Sequence, residues 1–137
     1  MPATTLLIIE DDPDLLWRLS RDPAVCDYRI VGAPSLADAL AAIGRETFDV
    51  ALVDLGLGPD SGLDAMRAIK SRAPDTEIVV MSDTPSLAAA IASYELKAFA
   101  FVAKPFDTDH LLSTVRRAVA HVRCCAPTTG SHGSRRC

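Results

Sequence analysis

The sequence predicts an α/β fold, a parallel five-stranded sheet with helices on both faces. Five short apolar runs alternate along the chain with five segments of helical periodicity, which is the order expected of consecutive βα units. The length of 137 residues suits one domain with a single core. In open α/β sheets, functional residues gather beyond the carboxyl ends of the strands, so the residue after each strand is a candidate.

The predicted strands are nearly continuous apolar runs, which is typical of strands buried on both faces. They comprise residues 6–9, 28–33, 50–53, 78–81 and 98–102. In the last of these, Phe99 and Phe101 have the spacing of residues on one face, and core packing explains either as well as a functional role does.

The helices are predicted from their caps and apolar stripes. Asp12 is the N-cap of the first helix with Pro13 at its first position, and Ser35 caps the second, which Gly44 ends. Pro85 opens an alanine-rich fourth helix. The stripes of the third and fifth helices are Leu63, Met66 and Ile69, and Leu111, Val115, Val119 and Val122.

Composition excludes several classes of function. All 18 acidic residues precede residue 123, against 11 basic ones, so we expect this acidic body to bind no nucleic acid. No apolar run is long enough for a membrane span, and no secretory signal is evident. Four cysteines without a spaced framework favour a reduced, cytoplasmic protein over a disulfide scaffold, and a zinc site in the tail would match no standard ligand spacing.

Charged side chains follow four of the five strands. Glu10, Asp11 and Asp12 follow the first, Asp54 the third, Ser82 and Asp83 the fourth, and Lys104 the fifth. Clustered carboxylates repel one another unless a cation neutralises them, and Mg²⁺ prefers such oxygen ligands. The alternative, that acids after strands only cap helices, accounts for Asp12 but not for Asp54 or Lys104.

These motifs resemble the response-regulator receiver domains of two-component signalling over about residues 4–122. The motif Leu-Leu-Ile-Ile-Glu-Asp-Asp ends at residue 12, and Asp54 lies 43 residues beyond Asp11. Ser82 follows 28 residues later, and Lys104-Pro105-Phe106 begins 22 residues after Ser82. The resemblance implies a flavodoxin-like sheet with strand order 2-1-3-4-5.

The resemblance also implies a role for each residue. Asp54 would accept a phosphoryl group from a sensor histidine kinase or a phosphotransfer protein, a signalling reaction that the domain catalyses only on itself. Glu10, Asp11, Asp54 and the Gly56 carbonyl would hold Mg²⁺ or Mn²⁺. Lys104 and Ser82 would bind phosphoryl oxygens, Ser82 and Phe101 would switch, and the Lys104–Pro105 bond would be cis.

Four departures from the family pattern stand out. Asp83 replaces a small residue, and we expect it to slow or bias phosphorylation or to join the metal site. Lys97 replaces a glycine, so the end of the fourth helix is expected to be rearranged or mobile if its backbone is left-handed. Gly58 occupies the usual proline position with Pro59 after it, which predicts a changed turn, and Glu10 replaces an aspartate.

The leading interpretation is therefore a phosphorylated receiver domain at residues 4–122, followed by a disordered tail or linker at 123–137. A pseudo-receiver that keeps the fold without phosphorylation is the alternative. A flavodoxin would need a phosphate-binding loop in place of Glu10-Asp11-Asp12, and a phosphatase a second acid where Gly56 stands. The face of the fourth helix, fifth strand and fifth helix is the expected output surface, for a homodimer or another partner.

Overall fold

The computed structural model describes residues 4–56, 62–83, 87–104 and 107–125. Its strands are β1 (Thr5–Ile9), β2 (Arg29–Ala33), β3 (Val50–Asp54), β4 (Glu77–Ser82) and β5 (Ala100–Ala103). Its α-helices are α1 (Pro13–Ser20), α2 (Leu36–Arg45), α3 (Gly62–Arg72), α4 (Leu87–Glu95) and α5 (Thr108–Cys125), and a short 3₁₀ helix covers Pro23–Val25. Every helix in these ranges is too short or too polar to cross a lipid bilayer.

The five strands form one parallel sheet in the order β2-β1-β3-β4-β5, which confirms the predicted fold class. The order reverses between β1 and β3, where crevices for ligands open in sheets of this type. Alternate side chains of the buried strands enter two cores, one on each face. Met66 and Met81 are both fully buried, as the sequence predicts.

The predicted caps of the first two helices are present. The Asp12 carboxylate accepts a hydrogen bond from the Asp14 N–H at 3.0 Å, and the Ser35 hydroxyl accepts one from the Asp38 N–H at 3.2 Å. The prediction that Gly44 ends α2 is wrong by a small margin, because Gly44 lies inside the helix and the last residue is Arg45.

The last helix is longer than predicted. α5 continues to Cys125, so the first three residues of the predicted tail are helical. Residues 126–137 of the tail lie outside the described residues.

The two phenylalanines near β5 pack on opposite faces of the sheet, against the prediction of a shared face. Phe99 packs against the core under α5, and Phe101 against the core under α3. The strand begins only at Ala100, so the alternation of a strand does not extend to Phe99. The sequence also predicts that His121, on the last helix, is exposed, but the side chain is half-buried. Its ring lies 5.5 Å from that of Phe99, and its Nδ1 lies 2.6 Å from a Glu77 carboxylate oxygen.

The end of α4 keeps a standard form despite a residue that suits it poorly. Lys97 has φ +69°, the left-handed conformation anticipated there. The Lys97 N–H donates to the Tyr94 carbonyl and the Ala98 N–H to the Ser93 carbonyl, both at 3.0 Å, which is the hydrogen-bond pair of a Schellman motif. The expected rearrangement is therefore wrong: the helix end forms, at the cost of a strained lysine backbone.

Replacing Lys97 with glycine should stabilise the protein. Glycine adopts positive φ without the steric cost of a Cβ, so Lys97→Gly should raise the free energy of unfolding by about 0.5–1 kcal/mol. Urea titration followed by circular dichroism measures this change. Lys97→Ala is the matched control, since it removes the side chain but keeps the Cβ; an equal gain in that variant would contradict the explanation.

Candidate functional site

The candidate site lies where the carboxyl ends of β1, β3, β4 and β5 meet. Glu10 directly follows β1, and its N–H donates to the Ala33 carbonyl at the end of β2. Asp54 is the last residue of β3, in register with Met81 of β4. The Lys104 N–H donates to the Ser82 carbonyl at 2.6 Å, which fixes the residue after β5 against the end of β4. Neighbouring parallel strands thus bring residues together that are far apart in sequence.

A buried ion cluster forms the centre of this site. The Lys104 Nζ lies 2.8 Å from a Glu10 carboxylate oxygen and 3.3 Å from Asp54 Oδ2. The other Asp54 oxygen, Oδ1, accepts a hydrogen bond from the Gly56 N–H at 2.9 Å. Glu10 is fully buried and Asp54 nearly so, at 0% and 4% exposure. One ammonium group therefore bridges two carboxylates that are largely withdrawn from water.

The surroundings move the three pKa values in different directions. Burial, with the adjacent Asp54, raises the pKa of Glu10 to about 8 against the opposing effect of Lys104. Burial also acts to raise the pKa of Asp54, but hydrogen bonds with Glu10 and the Gly56 N–H, together with Lys104, lower it overall. The pKa of Lys104 is raised, because its two carboxylate partners outweigh its burial. Asp54 therefore stays ionised, as a nucleophile requires.

The cluster has the composition of a divalent-cation site. Glu10, Asp11 and Asp54 each place a carboxylate oxygen within 4.8 Å of the others. The second Glu10 oxygen, Oε2, is buried and accepts no hydrogen bond from the described residues. A buried oxygen without a donor is costly, and the raised pKa of Glu10 means that Lys104 alone does not keep both buried carboxyl groups ionised. A hard cation with oxygen ligands would correct both deficits, so these residues fit Mg²⁺.

Two glycines, Gly56 and Gly62, lie against the end of β3. Gly56 supplies the N–H on Asp54, and a Cβ on Gly56 would stand 3.5 Å from Asp54 Oδ1 and 3.6 Å from Asp83 Oδ1. A Cβ on Gly62, the first residue of α3, would overlap Leu55 Cα and lie 2.7 Å from the Asp54 carbonyl oxygen. The start of α3 can approach β3 this closely only because residue 62 is glycine.

The structure brings most of the predicted site residues together. Ser82 is buried at the end of β4, beside Asp54 and Lys104 in the sheet, whereas Phe101 is half-buried in the core under α3. Asp11 and Asp83 are exposed at the edge of the site. The turn at Gly58 and Pro59 and the geometry of Pro105 lie outside the described residues. The roles of all these residues stay predictions.

Sequence reasoning missed two features of the site. The direct Lys104–Glu10 contact was not anticipated, because the resemblance assigned Lys104 to a phosphoryl oxygen and Glu10 to the metal. The close approach at Gly62 was also missed; its signal was a glycine at a helix start, which alone does not distinguish a cap from a steric requirement.

The chain is similar to known proteins over most of its length. A model of the response regulator receiver domain matches residues 6–116. The acid tolerance regulatory protein ActR of Sinorhizobium medicae is 34% identical over 83% of this chain and 59% of its own length. The DNA-binding transcriptional regulator NtrC of Escherichia coli is 32% identical over 83% of this chain and 24% of its length. The chain thus spans about three-fifths of one relative and a quarter of the other.

Two solved structures are also similar. A response regulator protein from Burkholderia pseudomallei, with a phosphorylated aspartic acid, calcium ion and citrate, is 28% identical. It aligns with a TM-score of 0.77 over 88% of this chain and 71% of that one. A CheY-like receiver domain protein from Methanospirillum hungatei has a TM-score of 0.84 at 22% identity, covering 89% of this chain and 98% of that one, and so supports the fold.

Alanine at position 62 should weaken the fold and disturb the end of β3. The new Cβ would meet backbone atoms that cannot rotate away, so Gly62→Ala should lower the free energy of unfolding by about 1–3 kcal/mol. Gly44→Ala is the matched control, because a Cβ there meets no atom within 4 Å. That helical substitution should raise stability by up to about 1 kcal/mol. Chemical denaturation of both variants measures the contrast, and equal effects would contradict the steric explanation.

Proposed function

The chain belongs to the response regulator receiver domain family, and we propose that it accepts a phosphoryl group on Asp54 from a sensor histidine kinase or a phosphotransfer protein. The observation that carries this proposal is the Lys104 ammonium placed between the buried carboxylates of Glu10 and Asp54. Such an arrangement holds an ionised carboxylate ready at a strand end, with a positive charge where phosphoryl oxygens would develop charge.

Each residue then has a defined part in the transfer. An Asp54 oxygen attacks phosphorus as the bond from phosphorus to the donor nitrogen breaks, and the bonding pair leaves with the donor imidazole. Lys104 pairs with one phosphoryl oxygen, and the Ser82 hydroxyl bonds another. The Gly56 N–H, already directed at Asp54, is a further donor close to the developing charge.

The divalent cation, Mg²⁺ or Mn²⁺, would be held by Glu10, Asp11, Asp54 and the Gly56 carbonyl. When bound, it would neutralise phosphoryl oxygens and help to orient the group for in-line transfer. The orphaned Glu10 oxygen and the close set of carboxylates support this assignment.

The proposed output is a change in a protein-interaction surface built from α4, β5 and α5. Leu87, Ile91 and Tyr94 lie on α4 at helical spacing, and all three are exposed large apolar side chains. Arg116 and Arg117 are exposed on α5. The exposed apolar strip on α4 suits docking of another protein or of a second copy, and the basic pair on α5 adds positive charge to the proposed surface. Ser82 and Phe101 are proposed to link this surface to the site.

A pseudo-receiver, which would use the same surface without phosphorylation, is the second candidate. The observation in its favour is Asp83, whose carboxylate adds negative charge beside the position that a phosphoryl group would occupy. The presence of Asp11, Asp54, Ser82 and Lys104 together favours the phosphorylated receiver. Because the relatives are longer proteins, further domains and their outputs belong to the proposal as well. We also propose a cytoplasmic location, where such kinases present their donor histidines.

Phosphodonor labelling tests the main proposal. Incubation with phosphoramidate and Mg²⁺ should add the mass of one phosphoryl group to the intact protein, measured by mass spectrometry. The adduct should disappear in Asp54→Ala and persist in Asp49→Ala, which removes an aspartate near the opposite ends of the strands. An unmodified parent, under conditions that label a known receiver domain, would favour the pseudo-receiver.

Metal binding gives an independent prediction. Mg²⁺ well above its dissociation constant should stabilise the protein by about 1–3 kcal/mol, because it binds the folded site and not the unfolded chain. Differential scanning calorimetry at matched ionic strength measures the effect. Glu10→Gln and Asp11→Asn should each lose most of it, while Asp27→Asn, an exposed acid before β2, should keep it. Equal stabilisation of all variants would argue against a site at this cluster.

A further inference from the structure

The site has a buried wall and an exposed rim of different charge. The wall contains the neutralising contacts of Lys104, whereas the rim is where a phosphodonor must enter. Wall residues are Glu10, Asp54 and Lys104, and the described rim residues are Asp11, Gly56 and Asp83. Of the two rim acids, Asp11 belongs to the carboxylate group close enough to share a cation, and Asp83 is not part of that group. The negative charge of Asp83 therefore remains when a bound cation neutralises Asp11.

Asp83 is held beside the nucleophile by the sheet. It directly follows Ser82, the last residue of β4, which is paired with Ala103 and receives the Lys104 N–H. Asp54 Oδ1 and Asp83 Oδ1 lie 3.5 and 3.6 Å from the same point, the place of a Cβ on Gly56. Since Gly56 has no side chain, only its backbone lies near the two carboxylates. A donor approaching Asp54 across this exposed side passes the Asp83 charge.

The charge of the leaving group then decides how Asp83 acts. A phosphorylated imidazole reacts in its protonated form: as the O–P bond to Asp54 forms and the P–N bond breaks, the bonding pair goes to the ring nitrogen. The imidazolium thereby becomes neutral imidazole, which keeps its other ring proton. In acetyl phosphate the pair goes to an oxygen, and a neutral acyl group becomes acetate. The first leaving group is cationic until the bond has broken, and the second becomes anionic.

We infer that Asp83 makes this site select phosphodonors by the charge of their leaving group, favouring phosphorylated nitrogen bases over acyl phosphates. A carboxylate at the rim attracts an imidazolium and repels a developing acetate. This inference rests on the proposed phosphorylation of Asp54 and assigns the specificity of that reaction to a residue outside the buried cluster. Asp83 would thereby slow phosphorylation by small acyl phosphates without slowing transfer from a phosphohistidine.

The test compares two donors, phosphoimidazole and acetyl phosphate, on the parent and on Asp83→Asn in the presence of Mg²⁺. Intact-mass spectrometry over time gives a second-order rate constant for each pair. Asp83→Asn should raise the acetyl phosphate constant roughly three- to tenfold, as expected for one partly screened charge, and should not raise the phosphoimidazole constant. Asp83→Glu, which keeps the charge, and Asp27→Asn, which removes one far from the site, should both retain the parental ratio.

Two further readouts separate charge from other causes. Added NaCl should reduce the difference between the acetyl phosphate rate constants of the parent and of Asp83→Asn, because salt screens exposed charges. The Mg²⁺ concentration that gives half of the thermal stabilisation should be the same in both proteins. If Asp83→Asn changed that Mg²⁺ concentration by a factor similar to its change in the rate constant, the inference would be overturned, since Asp83 would then act through the metal.

The outcomes distinguish this inference from the proposed function. Labelling of the parent with an unchanged donor ratio in Asp83→Asn would overturn the role of Asp83 and leave phosphorylation of Asp54 standing. Absence of labelling by either donor would overturn the proposed function and the donor selectivity with it. A ratio that shifts toward acetyl phosphate in Asp83→Asn alone would support the selectivity.

Discussion

The contact on which the site depends is the Lys104 ammonium between the carboxylates of Glu10 and Asp54. Two acids buried this deeply at one edge of a sheet repel each other and have lost most of their water. Lys104 offsets part of that cost, and removing it would leave charge buried without a partner. The cost that remains, visible in the unmatched Glu10 oxygen, makes the site receptive to a cation and then to an anion bound by that cation. The site thus favours a cation because Lys104 neutralises its carboxyl groups only in part.

The sheet makes this contact possible. Glu10, Asp54 and Lys104 come from three strands, and parallel register brings their ends to one edge without support from local sequence. β1 and β3, which position Glu10 and Asp54, are buried on both faces, so their backbones are fixed by packing on two sides. β5, which precedes Lys104, is a less buried edge strand. Gly62 adds a second constraint, because it lets α3 begin directly against the end of β3. Rigid positioning of this kind is what phosphoryl transfer demands of a protein.

The sequence allowed the fold to be predicted because its signals are local and repeated. Apolar runs of strand length, Asp12 with Pro13, and Ser35 as a helix cap all act within a few residues, and the structure confirms them. The errors arose where a distant contact or the exact start of an element decides the outcome. The face of Phe99 depended on β5 beginning at Ala100, and the half-burial of His121 depended on Glu77 and Phe99, which are remote in sequence. The Lys104–Glu10 contact belongs to the same class, since 94 residues separate its partners.

The same energetic reasoning identifies the element that a new charge at Asp54 could move. Coupling between sites in proteins is typically worth about 1–3 kcal/mol, which is too little to rearrange strands buried on both faces. A coupling free energy of this size is enough to shift a helix that buries few of its residues, such as α4. That helix buries only Ser93 among its residues and exposes Leu87, Ile91 and Tyr94. It is followed by Lys97, whose backbone is held at positive φ. It also begins at Leu87, four residues beyond Asp83 in the sequence. A phosphoryl group on Asp54, as proposed, would therefore act first on the least secured helix, and that helix carries the apolar surface available to a partner.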